Sequence, residues 1–277
     1  MRFTKMQGCG NDFILVNRLE ERLEDEDLPE LARRWCDRHF GVGADGLVLV
    51  EPSKQANYRM RMLNPDGTES EICGNSIRCF AKYVFDRRLH ADTLLKVETN
   101  SGVRLLKLRT RGREVDQVRV DMGMPILERR DIPLRGDGPS PVVSERLQAG
   151  GRKFEVTCLS MGNPHCIVIV EDVDNYPVER YGPEIETHKL FPKRTNVEFV
   201  QPLSNSELKQ RTWERGAGET LASGTGASAA VVACALTNRT ARRVTAHLPG
   251  GDLFVEWTGD DHVYLNGPAA EVFNGEL

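Results

Sequence analysis

No stretch of this 277-residue chain holds the roughly 20 consecutive apolar residues that cross a bilayer. The opening "MRFTKMQGCGNDFILV" lacks the apolar core of a secretory signal, so a cytoplasmic location is the expectation. A basic excess is missing too. Lys and Arg number 37 against 41 Asp and Glu, a formal charge of -4, and without a basic field nucleic acid is not an expected partner. Seven cysteines occur without one C-x-x-C pair. An odd, unpaired set argues against a disulfide framework and against a structural zinc site, which leaves free thiols and no expected metal. G-x-x-x-x-G-K-[ST] is absent, and "LASGT" is not G-x-S-x-G. "GVGADG" (Gly41 to Gly46) has the bare G-x-G-x-x-G spacing, but a helical pattern precedes it and the strand-like "LVLVEP" follows. A dinucleotide site needs the reverse order.

What the chain does contain is a repeat at a shift of about 150 residues. "GNDFILV" (Gly10 to Val16) is answered by "GNPHCIVIV" (Gly162 to Val170), setting Asn11 against Asn163. "GLVLVEP" from Gly46 is answered by "NVEFVQP" from Asn196. "NPDGTESEICGNS" (Asn64 to Ser76) is answered by "ERGAGETLASGTG" (Glu214 to Gly226), setting Glu69 against Glu219 and Cys73 against Ser223. "SGVRLLKL" with "GGDLFVEW", and "VRVDMGMP" with "VYLNGPA", complete the series. Matches in one order predict an α+β protein of two pseudo-symmetric domains, each with mixed and antiparallel strands wrapped around a central helix. We draw the division at 1-117 plus 266-277, carrying Cys73, and 118-265, carrying Ser223. The central helices are predicted to begin just after Cys73 and just after Ser223. "ASAAVVACAL" (Ala227 to Leu236) is small and apolar on every side, the pattern of an enclosed helix; "SIRCFAKYVF" is less uniformly so. An amphipathic helix is predicted over Leu28 to Phe40, and an exposed loop over Leu134 to Val143.

Two glycine-led helix N-termini at matched positions are suited to anions. Their free N–H groups and positive dipole ends favour a carboxylate, and the same field lowers the pKa of an adjacent cysteine. Cys73 is therefore a candidate reactive thiolate, with burial as a small apolar residue the competing reading. For each asparagine taken singly, a turn or capping role and ligand contact are both open. Glu69 and Glu219 read equally as caps.

Over nearly its whole length the chain resembles the diaminopimelate epimerases. The resemblance rests on "MQGCGNDF", "DRHFGVGADG", "NPDGTESEICGNSIRCFAKYV", "LSMGNPHC", "NVEFV", "ERGAGET" with "ASGTGA", and "LPGG". It implies two domains with the active site at their interface, no cofactor, and a role in making lysine and peptidoglycan precursors. It implies inversion of one α-carbon of diaminopimelate by two cysteines on opposite faces. By the same resemblance Cys73 is one acid/base group and Ser223 occupies the place of the other. The backbone around Gly74, Asn75, Gly224 and Thr225 would carry the substrate α-carboxylate. Asn11, Asn64, Asn163, Asn196 and Arg215 would hold its distal end, Glu214 would take an ammonium, and His165 would support the site. A homodimer through the C-terminal "AAEVFNGEL", with Phe273 at the contact, is also implied. Ser223 and Ser76 depart from the family pattern, which has cysteine and glycine there. A hydroxyl is a far weaker acid than a thiol, so the resemblance implies epimerisation that is impaired in this chain. Two other readings stand beside it: a one-cysteine dehydratase of the hydroxyproline type, whose elimination needs one base, and a non-catalytic amino-acid-binding protein.

Overall fold

The computed structural model describes residues 1–70 and 74–277, and Cys73 lies outside the described residues. The chain divides into two units, Met1–Asp121 with Asn266–Leu277, and Met122–Leu265.

The first unit runs β1 (Arg2–Gly8), β2 (Asn11–Asn17), α1 (Leu28–Cys36), β3 (Gly46–Glu51), β4 (Tyr58–Leu63), α2 (Gly74–Asp86), β5 (Leu94–Thr99), β6 (Gly102–Arg111) and β7 (Glu114–Asp121). The second runs β8 (Val142–Ala149), β9 (Arg152–Ser160), β10 (Pro164–Ile169), α3 (Val178–Glu186), β11 (Asn196–Ser204), β12 (Glu207–Glu214), β13 (Gly218–Thr220), α4 (Gly224–Leu236), β14 (Arg243–Leu248) and β15 (Gly251–Trp257), and leaves through β16 (Val263–Gly267). The last strand, β17 (Ala270–Glu276), returns to the first unit, antiparallel to β1.

The repeat read in the sequence is a repeat of strand register. In the first unit β2 and β3 are parallel with Phe13 opposite Gly46, and β3 and β4 antiparallel with Leu47 opposite Leu63. In the second, β10 and β11 are parallel with His165 opposite Asn196, and β11 and β12 antiparallel with Val197 opposite Trp213. The parallel pair Tyr58 and Val97 (β4, β5) recurs as Leu208 and Ala246 (β12, β14). The hairpin pair Thr99 and Gly102 recurs as Leu248 and Gly251. Strands β2 and β3 are near-continuous apolar runs, Phe13 to Val16 and Leu47 to Val50, all buried. Parallel strands covered on both faces read this way.

Helices α2 and α4 are the centres that these strands enclose. In α4 every residue except Thr225, Ala235 and Leu236 is buried, and it packs on β9, β10, β11, β14 and β15. Its glycines and alanines allow strands to approach from all sides, which bulkier side chains would prevent. Helix α2 is enclosed despite its charges because they find internal partners. Lys82 Nζ donates to Asp86 Oδ2 and to the Val115 carbonyl, both at 2.7 Å. The fully buried Arg78 donates to the Pro268 and Gly74 carbonyls.

Two local readings are adjusted by the structure. Helix α1 stops at Cys36, four residues before Phe40, because Asp37 turns extended and its Oδ1 accepts the His39 and Phe40 amides at 2.7 Å. A side-chain acceptor that offers the backbone an alternative partner ends a helix in this way. Its buried stripe is Leu28, Ala32, Trp35 and Cys36. In the segment read as a loop over Leu134 to Val143, 135–141 are exposed while Leu134 and Val142 are anchored in the core of the second unit. "GVGADG" does lie between a helix and a strand, α1 and β3.

Candidate active site

Ser223 sits immediately before α4 in extended conformation, φ -126 and ψ 117, and its Oγ accepts the Gly226 amide at 3.2 Å. It is the N-cap of the helix, a position at which serine is among the preferred residues. The Ala227 amide bonds to the Ser223 carbonyl at 2.9 Å. Among the described residues the Gly224 and Thr225 amides have no protein acceptor. These two donors at the positive end of α4 can receive a carboxylate.

Beside that helix end stands Asn163, whose Nδ2 donates to Thr225 Oγ1 at 3.3 Å. His165, completely buried, places Nε2 at 2.9 Å from Asn163 Oδ1 and Nδ1 at 2.8 Å from Glu198 Oε1. His165 therefore reaches the site through Asn163. The corresponding place in the first unit holds Asn11 and Asn75. Asn75 Nδ2 donates to Asn11 Oδ1, and Asn11 Nδ2 donates to Asp45 Oδ2 at 2.9 Å. Asp45 is pinned by Arg38 at 2.7 Å, which also pairs with Asp12. Burial works to raise the Asp12 carboxyl, but hydrogen bonds from Arg38 and Lys5 hold it below its ordinary value. The helix starts match too: Arg78 Nη1 donates to the Gly74 carbonyl and Ser228 Oγ to the Gly224 carbonyl, each at 2.9 Å.

A second cluster lies at the start of β11 and the end of β12. Buried Asn196 donates from Nδ2 to the Pro164 carbonyl and accepts the Arg215 amide on Oδ1, both at 2.9 Å. Glu214 Oε1 accepts from the Thr220 hydroxyl at 2.6 Å, and Arg215 Nη1 donates to the Lys193 carbonyl at 3.1 Å. Asn64 sits in the turn after β4, where its Nδ2 donates to Thr68 Oγ1 at 3.0 Å and its carbonyl accepts the Gly67 amide. Among the described residues neither Glu69 nor Glu219 accepts an amide at the start of a helix. They pair with Arg61 at 2.8 Å and Arg211 at 2.6 Å, one more matched feature of the repeat.

Sequence reasoning missed Glu198 and Glu186. Glu186 accepts the Trp213 indole N–H at 2.8 Å and the Gly216 amide at 3.0 Å, holding the loop that carries Glu214 and Arg215. Glu198 had a signal: it interrupts an apolar strand at the position where the first half has Val48. The glycine facing it had none. A Cβ on Gly226 would stand 2.8 Å from Glu198 Oε1 and 3.1 Å from Ser223 Cβ. Gly226→Ala should therefore cost about 1–3 kcal/mol, the usual range for overpacking. Denaturant unfolding would read this, and an unchanged midpoint would show that the helix end has room to move.

The six cysteines of the described residues are buried, and none is in a disulfide. Burial pushes the Cys36 thiol up to about 11 and the Cys234 thiol up to about 12, so neither is poised for proton transfer near neutral pH. Among the described residues no cluster of His, Cys, Asp or Glu could hold a metal ion, and no helix is long and apolar enough to cross a membrane.

The fold is that of a class of two-unit α+β proteins. It is shared with a phenazine biosynthesis protein of the PhzF family from Bacillus anthracis, at TM-score 0.73 and 17% identity, covering 100% of this chain and 98% of that one. It is also shared with a probable proline racemase from Agrobacterium radiobacter, at TM-score 0.71 and 13% identity, covering 100% and 92%. Within that class the sequence is specific: the chain belongs to the diaminopimelate epimerase family, whose profile matches residues 3–128 and 157–272. It is 57% identical to the diaminopimelate epimerase of Moorella thermoacetica over 100% of this chain and 99% of the relative. It is 55% identical to that of Pelotomaculum thermopropionicum over 100% and 98%.

Proposed function

We propose that this chain is built to interconvert LL- and meso-diaminopimelate without a cofactor, in the supply of lysine and peptidoglycan precursors. Its full-length identity to curated diaminopimelate epimerases carries the reading. Inversion removes a proton from one face of an α-carbon and returns one to the other, so two acid/base groups are needed. We assign them to Cys73 and to position 223, which precede the matched helices α2 and α4. The Gly224 and Thr225 amides, with Gly74 and Asn75, would hold the α-carboxylate and the charge that develops next to it. Asn11, Asn64, Asn163, Asn196 and Arg215 would hold the distal end, and Glu214 its ammonium. Asn196 also gives one bond from each end of its amide to backbone, which fixes the Arg215 loop and leaves a second hydrogen and a second lone pair for the substrate. Ser223 lowers turnover, because among the described residues its hydroxyl is bonded only to the Gly226 amide and to no base that could make it an alkoxide. Incubating the protein with diaminopimelate in heavy water tests the assignment; deuterium in neither isomer would refute it.

The same reading puts the protein in the cytoplasm as a homodimer formed through β17. On that strand Val272 and Phe273 are 56% and 45% exposed, with Phe273 edge-on to Phe3. A dimer mass is expected in sedimentation at micromolar protein, reduced to monomer by Phe273→Asp. A monomeric parent would remove the claim.

A further inference from the structure

We infer that Glu198 is a positioning residue: through His165 it fixes the orientation of the Asn163 amide. The inference rests on the reading that Asn163 touches the substrate. Its observation is a difference inside the repeat. Asn11 and Asn163 hold matched places at the heads of β2 and β10, and each is bonded to the second residue of the following central helix, Asn75 or Thr225. Their amides are turned end for end. Asn11 presents its oxygen to Asn75 and its NH2 to a carboxylate, Asp45. Asn163 presents its NH2 to Thr225 and its oxygen to an imidazole, His165.

Opposite orientations need opposite anchors. Asp45 is an acceptor, and a carboxylate suffices. Asn163 needs a donor, and an imidazole donates from Nε2 only when that nitrogen carries hydrogen. Glu198 and His165 are both completely buried, with Glu198 Oε1 2.8 Å from Nδ1. That contact leaves Nε2 as the nitrogen facing Asn163 Oδ1, where a ring hydrogen meets the amide oxygen and keeps the NH2 turned toward Thr225. Glu198 reaches this place because Gly226 has no side chain to block it. In the first half the matching strand residue is Val48, as fits a site that uses Asp45 instead.

The parent chain allows a direct test, since Ser223 makes binding measurable without rapid turnover. Titration calorimetry with LL-diaminopimelate should give a Kd about tenfold higher for Glu198→Met, the equivalent of one hydrogen bond, at unchanged stoichiometry. Glu198→Gln should recover most of the affinity, because its amide can donate to Nδ1 and leave the Nε2 hydrogen in place. The His165 ring should show a downfield bridging proton in the parent that Glu198→Met lacks. A role in folding alone would lower the binding stoichiometry of Glu198→Met and leave Kd and the resonance of the folded fraction unmoved; that result overturns the inference. Asn163→Ala separates the two layers. If it raises Kd and Glu198→Met adds nothing further, both stand. If Asn163→Ala leaves Kd unchanged, the substrate contact is wrong, and the proton resonance still decides whether Glu198 holds the ring.

Discussion

Ser223→Cys should raise the rate of LL-to-meso conversion by roughly 10²–10⁴-fold, the usual contribution of a positioned acid/base group, and Cys73→Ala in that background should abolish it. A thiol near 8.5 at a helix N-terminus is drawn toward neutrality, where proton transfer is most efficient. The hydroxyl of Ser223 has no such access to its anion. The substitution should fit without rearrangement, since the position is extended, φ -126, and sulfur replaces oxygen on the same carbon. It also removes a favoured N-cap that now accepts the Gly226 amide. Capping serines contribute about 1 kcal/mol, so the faster variant should be slightly less stable, a small instance of activity opposed to stability. Chiral chromatography of the product isomers and a denaturant melt read the two effects. A Ser223→Cys protein as slow as the parent would show that position 223 is not the second acid/base.

Much of the fold was legible because the chain is written twice. A match such as "GNDFILV" with "GNPHCIVIV" reports a conserved place in a sheet, and register confirms it: Phe13 faces Gly46 as His165 faces Asn196. The start of α4 was legible from Ser223 and the glycines, since capping and turn chemistry are local. The end of α1 was lost to two amide hydrogen bonds accepted by the Asp37 side chain, which no periodicity records. In the site, residue types were legible and their duties were not. Asn196 and Asn163 look alike in sequence, yet one is bonded to backbone at each end of its amide and the other faces a helix end. Glu198 shows why: its meaning depends on His165, 33 residues away in the chain. A buried carboxylate cannot be told from a surface one until its neighbour is placed.

In heavy water the unaltered protein should label the two substrate isomers unequally, with slow deuterium incorporation into meso-diaminopimelate at retained configuration and none into the LL isomer. Losing one of two acid/base groups leaves an asymmetric site. Cys73 directly precedes Gly74, the first residue of α2, and a cysteine next to a helix N-terminus is favoured as a thiolate. The other side offers Ser223 alone. The family resemblance gives position 223 the acceptor role from the LL isomer and gives Cys73 that role in the reverse direction. On that assignment LL substrate should bind and keep its α-proton, because the group set against it is a hydroxyl, a far weaker acid/base than a thiol. At the D centre of the meso isomer Cys73 can remove the proton, exchange it with solvent and return deuterium to the same face. Return to the opposite face needs an acid that Ser223 supplies poorly, so configuration survives. The rate should fall far below that of Ser223→Cys, which supplies the second thiol that the proposed mechanism needs. Proton NMR of each isomer after long incubation reads label and configuration together. Equal labelling of both isomers, or their rapid interconversion, would mean that Ser223 transfers protons competently and that the weakness of its hydroxyl does not limit this site.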